Sequence, residues 1–266
     1  LAAIWERLSS DAYNAFLASS IELRYKLQLC DWAYFKLVEQ ISEEIFGSSR
    51  TNEAIFLQSY ILTQSGYKIR IAKDESTQLT LLVNTDYKLY AVNYFNIDGD
   101  RFYLINSNAN SLEVLSNGFK NEQPVSLRIY ADQFPSQNQT IQKDFISNAY
   151  PTINVQTGVN KEVIEFYNSY PQCDWKVYAV TPLSEAIKRN IYPVLQQEVK
   201  GKSQAEAVNM LINFVQTAFE YKTDDEQFGY ERPFFPDELF YYPYSDCEDR
   251  SILFSTIVRD LLKLDV

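Results

Sequence analysis

The sequence predicts an α+β fold in which helices pack on antiparallel sheet. Three observations carry this. Apolar residues recur at helical spacing at both ends of the 266-residue chain. Between those ends lie short β-rich runs punctuated by Asn, Ser, Gly and Pro. One pair of such runs, "KLYAVNYF" and "RFYLIN", is joined across Asp98-Gly99, a dipeptide that suits a tight hairpin because both residues tolerate positive φ.

The elements follow in order. Ile4, Trp5 and Leu8 open an apolar helical stripe. "LQLCDWAYFKLVEQISEEIF" continues one through Leu29, Trp32, Val38, Ile41 and Ile45, placing Cys30 in mid-helix as a packed thiol, and Gly47 marks the stop. "NEAIFLQSYILTQSG" is a third helix closed by Gly66. "YKIRIA" and "LTLLV" then read as strands, followed by the hairpin. From 107 to 180, "SLEVL", "SLRIYA", "TINVQT", "EVIEFY" and "WKVYAV" read as further strands of a β-rich module, with Cys173 unremarkable among them. Helices return at Thr181, taken as an N-cap before Pro182, with Leu183, Ile187, Ile191, Val194 and Leu195 on one face. Ser203 and Glu206 form a capping box opening a helix whose face is Val208, Leu211, Ile212, Val215 and Phe219. The last helix buries Leu253, Ile257 and Leu261.

Composition narrows the function. A net charge of −11 and a pI near 4.6 argue against nucleic acid as a partner, since phosphate binding needs clustered Lys and Arg. No apolar run approaches the roughly 20 residues of a membrane span. Cys30, Cys173 and Cys247 are an odd set without CxxC spacing, so neither a disulfide framework nor a zinc cluster is expected. No cofactor or metal is expected; "TDDEQ" at 223–227 lacks the spacing of a calcium loop and reads as a solvated acidic turn. The opening "LAAIWERLSS" reads as the interior of a longer, exported precursor.

"SDCEDRSILF" carries the chemistry. Ser245 or Asp246 can cap a helix that places Cys247 in its first turn, where exposed N–H groups favour a thiolate nucleophile. The helix before it, "FEYKTDD", an aromatic loop and "DCEDRSILFSTIVRDLL" resemble the core of the transglutaminase-like superfamily over about 181–266. Its cysteine motif, roughly D-C-x-D-[KR]-[AS], falls on Asp246, Cys247, Asp249, Arg250 and Ser251. The resemblance implies a papain-like α+β fold, Cys247 as nucleophile for acyl chemistry on a peptide or protein, and Asp249 and Arg250 as anchors of helix and loop. It also implies a His and an Asp on two following strands. The chain contains no His at all, so that triad cannot be assembled here, and the sequence reads as a fragment of a longer protein. The aromatic loop supplies candidate substrate-binding residues Phe234, Phe235, Tyr241, Tyr242 and Tyr244, beside the alternative of a packing lid.

The first part of the chain echoes the same unit. Laid on the Cys247 helix, "NEAIFLQSYILTQSGYKIRI" puts Arg50 at the cysteine position, with Asn106 at the position of the family's Asp. The expected organisation is therefore a degenerate transglutaminase-like domain over 1–106, a β-rich module over 107–180, and the helical half of a second such domain over 181–266. Two functions compete: Cys-dependent peptidase, amidase or acyl-transfer chemistry in a full-length form, or a binding or structural protein that kept the fold. If the echo is real, the helix at 52–65 packs on an antiparallel sheet drawn from 67–106.

Overall fold

The structure, a computed structural model, describes residues 11–105, 107, 109, 111–133 and 142–266, with side chains from Asn14 onward. The stripe expected at Ile4, Trp5 and Leu8, and Asn106, lie outside the described residues. The chain divides into two compact units, Leu1–Arg128 and Ile129–Val266. The boundaries expected at 106 and 180 fall inside these units. The mixed α+β class holds in both.

The first unit opens with α1 (Asp11–Lys26), α2 (Asp31–Phe46) and α3 (Asn52–Gln64). Cys30 is not in mid-helix: it is the extended N-cap of α2, buried all the same. Asp31, which follows it, takes Arg24 Nη2 at 2.7 Å, the Tyr67 hydroxyl at 2.8 Å and the Ser126 backbone N–H at 2.9 Å. That carboxylate ties α1 to α2 and both to the end of the unit. Ile45, expected on the buried stripe, is exposed, and the inner face is Trp32, Tyr34, Phe35, Val38 and Ser42. Gly47 ends α2 in the left-handed region at φ +76, where a side chain would be strained. Thr51 caps α3 by accepting the Ala54 N–H at 3.1 Å.

The sheet comprises β1 (Ile69–Lys73), β2 (Leu79–Val83), β3 (Tyr94–Ile97), β4 (Asp100–Leu104) and β5 (Glu113–Val114), in the order β3-β4-β2-β1-β5 with every pair antiparallel. Asp98 and Gly99 turn β3 into β4 with φ of 52 and 87, the conformation the dipeptide predicts. The strand expected over "KLYAVNYF" is shorter: Ala91 has φ 53, which breaks extension, and pairing starts at Tyr94. As expected, α3 packs on β1 and β2. The sheet is buried on alternating sides, because Ala72, Leu82, Phe102 and Leu104 form one cluster while Ile69 and Ile71 share a hollow with Phe56 of α3. On the first side Arg70 holds Glu122 with two bonds of 2.8 and 2.6 Å and lies over the Phe102 ring.

The second unit corrects much of the β-rich reading. β6 (Lys143–Ile146) and β7 (Asn154–Thr157) form a hairpin that keeps "TINVQT" as a strand. "EVIEFY" is instead helix α4 (Lys161–Asn168), and "WKVYAV" is helix α5 (Trp175–Val180). Their β-branched and aromatic residues suggest strands, but the caps decide otherwise. Asn160 accepts the Glu162 N–H at 2.9 Å and Asp174 that of Lys176 at 3.0 Å, and Val163, Phe166 and Tyr167 then share one buried helical face. "SLRIYA" forms no strand. Its start is held by Asp86, which accepts the Ser126 hydroxyl at 2.7 Å and the Leu127 N–H at 3.0 Å.

Three longer helices complete this unit: α6 (Glu185–Val199), α7 (Gln204–Thr217) and α9 (Cys247–Leu262), with the single turn α8 (Asp224–Gln227) before the last. Thr181 is no N-cap. It ends α5, its hydroxyl donating to the Val177 carbonyl at 2.8 Å, and Ser184 caps α6. Ser203 and Glu206 do form the capping box of α7. The inner face of α7 runs through Ala207, Met210, Leu211, Phe214 and Val215, so Val208 and Ile212 sit half a turn off and are only half-buried.

Candidate functional site

Cys247 is the first residue of α9 and is exposed. Asp246 caps the helix, its carboxylate accepting the N–H of Glu248 at 3.0 Å and of Asp249 at 3.2 Å, while Asp249 returns the bond to the Asp246 N–H at 3.3 Å. Two side chains then anchor this end. Asp249, buried, accepts the Phe234 N–H at 2.9 Å and so fixes the aromatic loop to the helix. Arg250 donates to Ser245 Oγ at 3.1 Å and to the backbone carbonyls of Gln216 and Phe219 at 3.0 and 2.8 Å. The motif's Asp and Arg thus hold loop and neighbouring helix in place.

Pairing between β8 (Glu220–Tyr221) and β9 (Tyr244–Ser245), parallel and only two residues each, brings Tyr221 opposite Ser245. The Tyr221 phenol lies in hydrogen-bonding reach of the Cys247 thiol, and that neighbour raises its pKa. The Arg250 guanidinium sits over the same ring at 5.4 Å. Tyr221 escapes sequence reading, because a two-residue parallel pair leaves no periodic signal.

Acidic groups crowd the other side. One carboxylate oxygen each from Asp224, Glu231, Asp246 and Glu248 lies within 4.8 Å of the others. Asp224 is buried and receives the Arg232 N–H at 2.6 Å, which corrects the expectation of a wholly solvated acidic turn; Asp225 and Glu226 are exposed. Partial burial, followed by the charges of Asp246, Glu231 and Asp224, raises Glu248 to about 7. Burial, and then Asp246, raises Asp249 to about 8. Four oxygens of this kind suit a hard cation, but like-charged side chains also gather without one.

The aromatic loop is mostly core. Phe235 is enclosed by Tyr167, Tyr170 and Tyr178 at ring distances of 4.4, 5.0 and 4.7 Å. Phe234 is equally buried, against Phe228 and Tyr242. Neither presents a face to a ligand. The box formed by Phe228, Phe234 and Tyr242 is filled by the chain's own Arg232, 4.8 to 5.0 Å from each ring, which pairs with buried Glu238 at 2.5 Å. Tyr241, Tyr242 and Tyr244 remain half-exposed, with Lys222 over the Tyr244 ring at 3.9 Å.

No helix among the described residues is long and apolar enough to cross a membrane. Comparison with known proteins finds no match to a family model, to a curated protein or to a solved structure. What the fold and site define is a class only: an α+β protein with an accessible cysteine at a capped helix start.

Proposed function

We propose that Cys247 is the nucleophile of a transglutaminase-like site for acyl chemistry on a peptide or protein. The observation that supports this is its position, exposed at the first residue of α9 while Asp246, Asp249 and Arg250 are each engaged in holding that helix start. In the reaction the thiolate attacks a carbonyl carbon, a thioester forms, and the departing amine takes up the thiol proton. With no His in these residues, the neutral-pH base that the resembled family uses for this step is missing. The chain by itself therefore acylates from activated esters and does not turn over amides. Half-exposed Tyr241, Tyr242 and Tyr244 are the aromatic surface left for a peptide.

The test is the rate at which 4-nitrophenyl acetate acylates Cys247, followed by intact mass, in the folded chain and in urea. Faster acylation when folded, absent in Cys247→Ala, supports a positioned nucleophile. Equal or slower acylation when folded removes that reading and favours a non-catalytic protein that retained the fold. That rival draws on one observation, an aromatic box already occupied by Arg232.

A further inference from the structure

Asn117-Gly118 is the one Asn-Gly pair of the chain. It lies in irregular backbone after β5, and both residues are exposed. The segment is fastened on either side of it. Upstream, the Leu115 N–H donates to the Ile71 carbonyl at 2.8 Å, and Ser116 Oγ accepts the Ile71 N–H at 2.9 Å. Downstream, the Phe119 N–H donates to Glu122 Oε2 at 3.3 Å. Between these ties, neither the Asn117 side chain nor the Gly118 N–H makes a hydrogen bond among the described residues.

That combination is reactive, because asparagine is a thermolabile residue. Its side-chain carbonyl carbon can close a five-membered ring with the backbone nitrogen of the next residue. Closure needs a nitrogen free to lose its proton and a side chain free to rotate onto it. A Cβ on the following residue obstructs the approach, and glycine has none. Other asparagines are held. Asn84 donates to the Arg101 carbonyl, Asn168 accepts from Arg232 and Tyr242, and Asn213 accepts from Ser147. Each of the three precedes a residue that has a side chain.

We propose that Asn117 is a site of spontaneous deamidation and isomerisation, and that isomerisation there loosens the buried Arg70–Glu122 pair. The Gly118 nitrogen gives up its proton and attacks Asn117 Cγ. The new C–N bond closes a succinimide, the bond to the side-chain nitrogen breaks, and ammonia leaves. Water then opens the ring at either carbonyl, and no oxidant or reductant takes part. Opening at the side-chain carbonyl gives aspartate. Opening at the backbone carbonyl gives isoaspartate, whose main chain is longer by one methylene. That lengthening falls where there is least room. A Cβ on Gly118 would stand 2.5 Å from Arg70 Nη2 and 2.8 Å from Glu122 Oε1, so the backbone is pressed against the ion pair. An extra methylene just upstream has to displace it. None of this involves Cys247, which lies in the other unit.

The whole chain is incubated in mildly alkaline buffer, folded and in urea. Intact mass follows the change from amide to acid, and peptide mapping with electron-transfer fragmentation separates aspartate from isoaspartate. In the folded chain Asn117 is expected to convert first, faster as pH rises, with isoaspartate as the larger product. Asn84, Asn168 and Asn213 should remain amides, and folding should protect Asn117 far less than it protects Asn84. Asn117→Gln should block the conversion. Melting reads the consequence. The aged chain should melt lower in step with its isoaspartate content, whereas fresh Asn117→Asp, which adds the charge without the methylene, should melt like the fresh native chain. The modification site is overturned if another asparagine converts while Asn117 stays intact, if folding protects Asn117 as strongly as Asn84, or if aspartate forms without isoaspartate. The effect on Arg70 and Glu122 is overturned if isoaspartate accumulates and melting does not move.

Discussion

Asp249 accepts the backbone N–H of Phe234 at 2.9 Å across 15 residues of sequence. With its second oxygen on the Asp246 N–H, this one carboxyl group fastens the aromatic loop to the start of the helix that presents Cys247. Loop and helix are therefore not independently placed. Removing the side chain frees two backbone donors, one of them buried.

Asp249→Ala is expected to destabilise the chain by about 1–3 kcal/mol, because lost hydrogen bonds and an orphaned Phe234 N–H outweigh relief from burying the carboxyl. Urea unfolding measures it. A stability within error of the native chain would show that the loop is held by its aromatic contacts alone.

Arg232 and Glu238 make a second internal tie, with Glu238 1% exposed. Burial pushes the Glu238 carboxyl upward, and the guanidinium pulls it back. Arg232→Ala strands that group and empties the aromatic box, at an expected cost of about 3–5 kcal/mol. Adding Glu238→Gln to Arg232→Ala removes the stranded charge and should recover part of the loss. Strict additivity of the two single changes would mean the pair is not coupled.

Stability should fall as pH rises from mildly acidic to neutral. Burial raises Asp237 to about 7, with the Ser184 N–H at 2.9 Å and the Ser184 side chain in partial compensation and Oδ2 left without a partner among the described residues. Asp249 at about 8 acts in the same direction. An unfolded aspartate titrates near 3.9. Between the unfolded and folded values the folded chain holds more protons, so raising pH favours unfolding through that window. Below about pH 4 both states are protonated and the effect vanishes. Asp237→Asn should flatten the slope, recovering on the order of 3 kcal/mol at about pH 8 relative to about pH 4.5. An unchanged slope in Asp237→Asn would assign the dependence to other groups.

The parts legible in sequence are those whose signals are local. Ser203 with Glu206, Asp98-Gly99 and Gly47 each fix a cap or turn through their own backbone preferences, and all three behave as read. The short apolar runs "YKIRIA" and "LTLLV", read as strands, are β1 and β2. What misled was composition without its caps: Val163, Ile164, Phe166 and Tyr167 are strand-forming residues, yet Asn160 starts a helix in front of them. Thr181 failed as a cap because its hydroxyl was taken by the preceding turn. At the site, the accessibility of Cys247 follows from its place in the sequence. The burial of Phe235 does not, since it depends on tyrosines from α4 and α5 more than 50 residues upstream, and that of Phe234 rests on how the loop folds Phe228 and Tyr242 against it. The neighbourhood of Tyr221 likewise rests on long-range pairing.

Thiol labelling separates the cysteines. Cys247 is exposed at a helix start, whereas Cys30 caps α2 at 8% exposure and Cys173 is buried at 3%. A water-soluble disulfide reagent such as dithiobisnitrobenzoate must reach the sulfur in line with its own S–S bond, so accessibility gates the rate before nucleophilicity does. The native chain should release close to one equivalent rapidly, and the other thiols should react only as the protein opens. Cys247→Ala should abolish the fast phase and leave the slow one unchanged. The slow phase should accelerate with urea in parallel with unfolding, while the fast phase should not. If Cys30 labels as fast as Cys247 in the native state, the N-terminal end of α2 is open to solvent, and Cys247 loses its claim to be the reactive thiol of this chain.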